Sequence, residues 1–163
     1  MPRNMQKYYI DIYSIVTNKD ILNKMENYKK YAVIELNKIG IDGGIFYDFF
    51  VNSYTYDIPE NKRGQELFTL DQILENYQSQ NWVALLPEKK RNEFQEKYPN
   101  ARERYLQITS IEGGGSYFYD KETDYVYDVN WGEEEAMIKG EKTPWFTSFY
   151  DFLKWYYGES DEE

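Results

Sequence analysis

Cysteine and histidine are both absent from this chain of 163 residues. Without cysteine, the chain has no disulfide, no thiolate nucleophile and no metal site built on thiolates. Without histidine, it also lacks the side chain that most often acts as a general base and that most often ligates metals through nitrogen. These two absences exclude catalytic triads built on histidine and the common zinc sites.

Long apolar runs are missing as well. The first residues, MPRNMQKYYIDIYS, contain no apolar segment long enough for a signal peptide. No run approaches the roughly 20 apolar residues that are needed to span a bilayer. We therefore expect a soluble, cytoplasmic protein that does not bind membranes.

Positive charge is scarce. The chain has 29 acidic and 19 basic residues and a net charge of −10, which repels phosphate backbones, so we expect no nucleic-acid partner. The one concentration of basic side chains is interrupted by glutamates, and such mixed charge is typical of a solvated helix face. That concentration consists of Lys89, Lys90, Arg91, Lys97, Arg102 and Arg104.

Aromatic side chains are abundant. They make up 19% of the chain, including 18 tyrosines and 4 tryptophans, whereas disordered chains are poor in them. A chain of this length buries roughly 70% of its unfolded surface when it folds as one unit. We predict one domain over residues 1–158, followed by a short acidic tail over residues 159–163.

The most informative stretch covers residues 108–158. A predicted strand over residues 105–111 is followed by Gly113, Gly114 and Gly115, and then by SYFYD and DYVYDVN, whose Tyr, Phe and Val content predicts a half-buried hairpin. The glycines favour a bend or bulge. They do not favour a phosphate loop, because no Lys-Ser/Thr follows and the next element is a strand.

A helix closes this stretch after an acidic crossing that has no helical or strand periodicity. Its apolar residues recur at helical spacing. Ser148 and Asp151 resemble a capping box, and Gly158 is placed to end the helix. The predicted buried stripe is Phe149, Phe152, Leu153 and Tyr156.

The segments before this stretch show either the periodicity of a strand or that of a helix. Residues 8–14 and 54–58 are predicted strands, and a long helix is predicted from a cap at Thr17 or Asn18 to Gly40. Residues 45–51, IFYDFFV, fit either a strand or a buried helix. Two further helices are predicted, one opened by a capping box of Thr69 and Gln72, and a charged one over residues 88–98 anchored by Phe94.

Carboxylates are numerous, but no pair stands out as catalytic. A glycosidase needs two acids at a defined separation in a cleft, and the sequence marks no such pair. Asp120, Asp124 and Asp128 recur every four residues, yet they lack the alternate-residue oxygens and the closing Glu of an EF-hand. We interpret them as surface carboxylates, and we predict no enzyme activity, no metal and no cofactor.

The strand, the Gly-rich bend, the aromatic hairpin and the closing SF-x-x-FL helix resemble the SUKH superfamily of Smi/Knr-like proteins. Residues 113–120, 124–128, 148–149 and 152–153 carry the resemblance, and LFTLDQILENY at 67–77 is similar to that family's short helix ahead of the hairpin. Hairpin strands and amphipathic helices must bury each other's apolar faces, which predicts a SUKH-like α+β fold with a twisted, mostly antiparallel sheet packed against the helices. The resemblance implies immunity, in which the protein binds a cognate bacterial toxin, often nucleic-acid-directed, and neutralises it stoichiometrically.

Two other functions stay open. One is a regulatory scaffold of the Smi/Knr type, and the other is a small carbohydrate-binding or carbohydrate-active protein that uses its Tyr and Trp side chains. The sequence does not indicate the oligomeric state.

The best candidate for partner binding is DYVYDVNWGEEE at residues 124–135, where acids alternate with aromatics. Acids steer a basic partner, and aromatics supply buried contact. The alternative is a hairpin edge that charge keeps soluble. The candidate residues are Asp124, Tyr125, Tyr127, Asp128, Trp131, Glu133, Glu134 and Glu135.

Overall fold

The computed structural model describes residues 19–53, 66–79 and 88–158. The described residues fall into two compact units, residues 19–53 with 153–158 and residues 66–79 with 88–152. Together they form seven helices and one three-stranded antiparallel sheet, which confirms the predicted α+β class. The predicted strands at 8–14 and 54–58, the caps Thr17 and Asn18 and the acidic tail lie outside the described residues. The boundaries of a single domain stay a prediction.

Two helices form the N-terminal part of the first unit, α1 (Lys19–Lys38) and α2 (Ile45–Asn52). Gly40, with a φ of 84°, follows α1 as predicted. The ambiguous IFYDFFV segment is helical, and the buried side chains of α2 are Phe46, Phe49, Phe50 and Val51. Three of these fall at i, i+3 and i+4, the spacing of one helix face.

The sheet lies in the second unit, in the order β1 (Tyr105–Gln107), β2 (Gly115–Asp120) and β3 (Val126–Asn130). Both pairs of neighbours are antiparallel, as predicted for the hairpin. The acidic segment between β3 and the last helix, which showed no periodicity in the sequence, contains a short helix, α6 (Glu134–Ile138). The remaining helices are α3 (Leu70–Ser79), α4 (Glu88–Lys97), α5 (Ala101–Arg104), α6 (Glu134–Ile138) and α7 (Phe149–Tyr156).

Strand β2 is buried on both faces. On one face, the rings of Tyr117 and Phe152 lie 5.6 Å apart, as do those of Tyr119 and Phe149, so the start of α7 packs on the sheet as predicted. On the other face, Phe118 packs into a core that includes the predicted anchor of α4. The prediction of a half-buried hairpin is therefore wrong for β2, every residue of which is buried. The core on the second face is formed by Phe94, Tyr105, Phe118, Tyr127, Val129 and Met137.

The three glycines serve two physical purposes. Gly113 and Gly114 have φ of 59° and 81°, values that favour glycine, and they make the predicted bend. Gly115 already belongs to β2, and a Cβ there would lie 2.5 Å from the side-chain oxygen of Asn130 and 3.2 Å from the carbonyl oxygen of Val129. Space rather than backbone angle therefore favours the third glycine, because a Cβ there would force the Asn130 side chain to move.

Two predicted helix starts are confirmed by their hydrogen bonds. Thr69 Oγ1 accepts from the Gln72 amide at 3.3 Å, while Gln72 Oε1 accepts from the Thr69 amide at 2.9 Å, the reciprocal pair of a capping box. At α7, Ser148 Oγ accepts from the Asp151 amide at 3.1 Å. Gly158, with a φ of 82°, follows the end of α7. In the described ranges, no helix combines the length and the apolar character that crossing a bilayer demands.

Candidate partner-binding site

The eight candidate residues do not form one exposed strip. Trp131 is 60% exposed, whereas Tyr127 is 6% exposed and Glu134 only 1%. Two of the candidates for partner binding, Tyr127 and Glu134, are therefore buried and do not belong to an exposed surface. The other five are partly buried: Asp124, Tyr125, Asp128, Glu133 and Glu135.

Asp124 connects the hairpin turn to α7. Its φ is 67°, a left-handed value that Asp tolerates better than most residues. Oδ1 accepts from the Tyr119 hydroxyl at 2.8 Å, and Oδ2 accepts from the Phe149 amide at 3.2 Å. Burial raises the pKa of the Asp124 carboxyl, and these two bonds offset that rise only in part. Asp124 therefore has a structural role in the turn.

The interpretation of Asp120 as a surface carboxylate is also wrong, because its side chain is fully buried. Arg104 donates to both of its oxygens, Nε to Oδ1 and Nη2 to Oδ2, each at 2.8 Å. The Glu122 amide and the Thr123 hydroxyl donate as well, at 3.0 and 2.8 Å. Burial alone would raise the pKa of the Asp120 carboxyl, but the bonds from Arg104, Thr123 and the Glu122 amide together lower it.

The ion pair between Arg104 and Asp120 also changes the interpretation of the basic residues that cluster around α4 and α5. Arg104 is held by Asp120 and also by Glu122, whose Oε2 lies 2.8 Å from its Nη1. Its charge is therefore matched within the hairpin and does not belong to a free basic surface. Sequence reasoning missed the pair because only the register, in which Tyr105 faces Asp120, places Arg104 beside that carboxylate.

Glu133 and Glu134 both bind the turn that follows β3. Glu133 Oε1 accepts from the Asn130 amide at 2.8 Å, and its Oε2 lies 3.2 Å from Lys142 Nζ. Glu134 Oε1 accepts from the Gly132 amide at 2.9 Å. Burial raises the pKa of Glu134. Burial would also raise the pKa of Glu133, but the bonds from the Asn130 amide and from Lys142 outweigh burial and lower this pKa.

Glu135 connects α6 to α4. Its Oε2 accepts from Lys97 Nζ at 3.0 Å and from the Tyr98 hydroxyl at 2.9 Å, and Lys139 Nζ lies 3.6 Å from Oε1. The bonds from Lys97 and Tyr98 lower the pKa of Glu135. The three successive glutamates, expected to act as one acidic patch, thus have separate partners within the chain.

An exposed apolar surface remains at one end of the sheet, and we call it the Trp131 tip. It comprises residues 111–114 and 130–132. The Trp131 amide donates to the Gly114 carbonyl at 2.9 Å, and the indole lies 4.0 Å from the position that a Cβ on Gly114 would occupy. Ile111, just before the glycine bend, is 44% exposed. Sequence reasoning found Trp131 but missed Ile111, because it placed residues 105–111 in one strand, whereas β1 ends at Gln107.

A second exposed tryptophan lies at the other end of β3. Trp145 is 57% exposed, and its amide donates to the Val126 carbonyl at 2.9 Å. Val126 begins β3 and Trp131 follows its last residue, so the two attachment points are separated by roughly 16 Å at about 3.3 Å per residue. Trp145 therefore provides a matched comparison for Trp131.

The Trp131 tip has the chemistry of a contact surface, because Trp131, Ile111 and Glu112 are all exposed. Across residues 19–53, 66–79 and 88–158, no group of three or more Asp and Glu side chains could hold a metal ion. Comparison with protein-family models, with curated proteins and with solved structures gives no match to this chain. The resemblance to the SUKH superfamily therefore rests on the residues of the sequence.

Proposed function

We propose that this chain is an immunity protein that neutralises a basic bacterial toxin by binding it stoichiometrically. The observation that supports this most directly is the Trp131 tip, which carries an exposed indole and an exposed isoleucine on a chain with a net charge of −10. Tryptophan is enriched among the residues that dominate binding energy in protein interfaces. The SUKH-like pattern of residues 108–158 supports the assignment to immunity rather than to binding in general.

The magnitude expected for Trp131 follows from its exposure. A tryptophan buries up to about 250 Å², so a side chain that is 60% exposed leaves about 150 Å² to remove from water, which contributes about 4 kcal/mol at about 25 cal/mol per Å². Ordering of side chains and imperfect polar pairing reduce this figure. We therefore expect a net contribution of about 2 kcal/mol, which corresponds to about 30-fold in affinity.

Charge has a different effect on binding. The excess of acidic residues attracts a basic partner over a distance and raises the association rate, and salt weakens that attraction. The acids do not have to lie in the buried contact to act in this way. The chain binds at the toxin's active site or across the path of its substrate, and so blocks the toxin without any turnover.

The test is co-expression with the product of the toxin gene adjacent to the chain's own gene. We expect growth to be restored and a complex of fixed stoichiometry to be purified. Trp131→Ala should weaken binding about 30-fold, while Trp145→Ala, which removes a tryptophan of nearly equal exposure, should change it less than about threefold. Lack of an adjacent toxin gene, or of any complex, would count against immunity. Equal effects of the two substitutions would place the interface elsewhere.

A further inference from the structure

Three consecutive backbone amides of the Trp131 tip each donate a hydrogen bond. The Asn130 amide donates to Glu133 Oε1 at 2.8 Å, the Trp131 amide to the Gly114 carbonyl at 2.9 Å, and the Gly132 amide to Glu134 Oε1 at 2.9 Å. Two of these three bonds end on glutamate carboxylates. Hydrogen bonds to a charged acceptor are stronger than those between neutral groups.

We infer that Glu133 and Glu134 are positioning residues, which fix the turn that presents Trp131 to the partner and contribute little to charge attraction. The inference rests on the proposed function and specifies its binding surface. Trp131 and Ile111 form the contact, and Glu112 beside them supplies the free charge. The matching partner surface is an apolar recess of a basic protein, with lysine or arginine side chains at its rim.

The surroundings of the two glutamates suit a positioning role better than a steering role. Glu134 is 1% exposed, so its carboxylate does not reach a partner. Glu133 is paired with Lys142 at 3.2 Å, and the opposite charge of the lysine reduces the attraction that Glu133 exerts on a distant cation. Glu112 is exposed and has no ion pair within the described residues. A carboxylate of that kind attracts cations at a distance, subject to screening by salt.

The turn needs such support because of Gly132. Its φ is 93°, and no atom beyond its two chain neighbours lies within 4 Å of the position that a Cβ would occupy, so that side of the glycine is open. A glycine released from its hydrogen bond samples many backbone conformations. If the turn were mobile, it would lose conformational freedom when Trp131 bound a partner, and binding would be weaker. A turn that is already fixed avoids this entropic cost.

Amide hydrogen exchange measured by NMR tests the positioning role without any partner. In Glu134→Ala, the Gly132 amide should exchange at least about tenfold faster, because a charge-assisted bond is lost. In Glu134→Gln, exchange should stay near wild type, since the side-chain oxygen still accepts. Glu135→Ala removes a neighbouring acid that binds α4, and it should leave the amides of both Asn130 and Gly132 unchanged.

A second pair of variants keeps the test decisive if Glu134→Ala does not fold, as judged by its thermal melt. Glu133→Ala should accelerate exchange of the Asn130 amide, and Glu133→Gln should not. Unchanged exchange of both amides in the folded alanine variants would overturn the inference. So would equal acceleration by Glu135→Ala, which would indicate general loosening of α6.

Binding kinetics with the cognate toxin at two salt concentrations test the division of roles. Glu134→Ala should raise the off-rate about tenfold and leave the on-rate within about twofold, whereas Glu134→Gln should change neither. Glu112→Gln should lower the on-rate, and most at low salt. If Glu134→Gln slows association as much as Glu112→Gln does, the glutamates steer and the inference is wrong. If wild-type protein binds no toxin, the proposed function fails while the exchange results still decide the positioning role.

Discussion

Replacing Asp120 with alanine removes the acceptor of four hydrogen bonds at once. Two come from Arg104 and one each from the Glu122 amide and the Thr123 hydroxyl. The Asp120 side chain is fully buried, so these bonds are shielded from water in the native turn. The variant removes the buried partner of two turn donors and of Arg104, which keeps only its exposed ion pair with Glu122. We expect Asp120→Ala to destabilise the hairpin strongly.

The expected loss lies at the low end of the range for such pairs. Breaking a buried ion pair from one side costs about 3–5 kcal/mol, chiefly because the other charge is left without compensation. Here the Arg104 side chain is 37% exposed, so its guanidinium regains water when Asp120 is removed. We expect a loss of about 3 kcal/mol in the free energy of unfolding, or about 6–12 °C in Tm for a chain of this size.

Urea denaturation at pH 7, with Glu122→Ala as the control, measures this loss. Glu122 also pairs with Arg104 but is 65% exposed, so its removal should cost less than about 1 kcal/mol. Acid should shrink the difference between wild type and Asp120→Ala. The folded pKa of Asp120 lies below its unfolded value of about 3.9, so its stabilisation is complete above that pH and is lost as the pH falls through the folded pKa. Equal losses for the two variants at pH 7 would refute the assignment of Asp120 as the buried centre of the turn.

Two smaller sets of variants test packing and capping. Phe152→Ala removes a buried ring whose centroid lies 5.6 Å from that of Tyr117, and it should cost about 3–5 kcal/mol in urea denaturation; a loss under about 1 kcal/mol would mean that α7 contributes little to the sheet. Thr69→Ala removes the acceptor of the Gln72 amide and should cost about 1 kcal/mol, measured as a lower midpoint. An unchanged midpoint would show that the capping box does not stabilise α3.

Features that depend only on residues close together in the chain could be predicted from the sequence. The capping box of Thr69 and Gln72 needs only residues three positions apart, and its two bonds formed as predicted. The apolar spacing of Phe149 and Phe152 predicted a buried helix face, and both side chains are fully buried. IFYDFFV could not be assigned in this way, because a short apolar run fits a strand and a buried helix equally well.

The candidate site was predicted less well, because its properties depend on contacts between distant residues. Trp131 could be identified as an exposed aromatic from its acidic surroundings. The burial of Glu134 could not, because α6 has only five residues and gave no periodic signal. The exposure of Ile111 was missed as well, because the predicted strand ran to residue 111 and β1 ends at Gln107.

The sequence by itself determined the α+β class, the antiparallel hairpin and the helix starts, because capping, turn chemistry and apolar periodicity act within a few residues. The tertiary structure alone decided which carboxylates are charged surface and which are internal partners. Asp120 forms an ion pair with Arg104, 16 positions away, because the register of β1 and β2 brings the two residues together. Glu135 belongs to Lys97, 38 positions away, because α4 and α6 cover the same face of the sheet. A run of acids looks uniform in the sequence, and only the packing of separate elements gives each carboxylate its own partner.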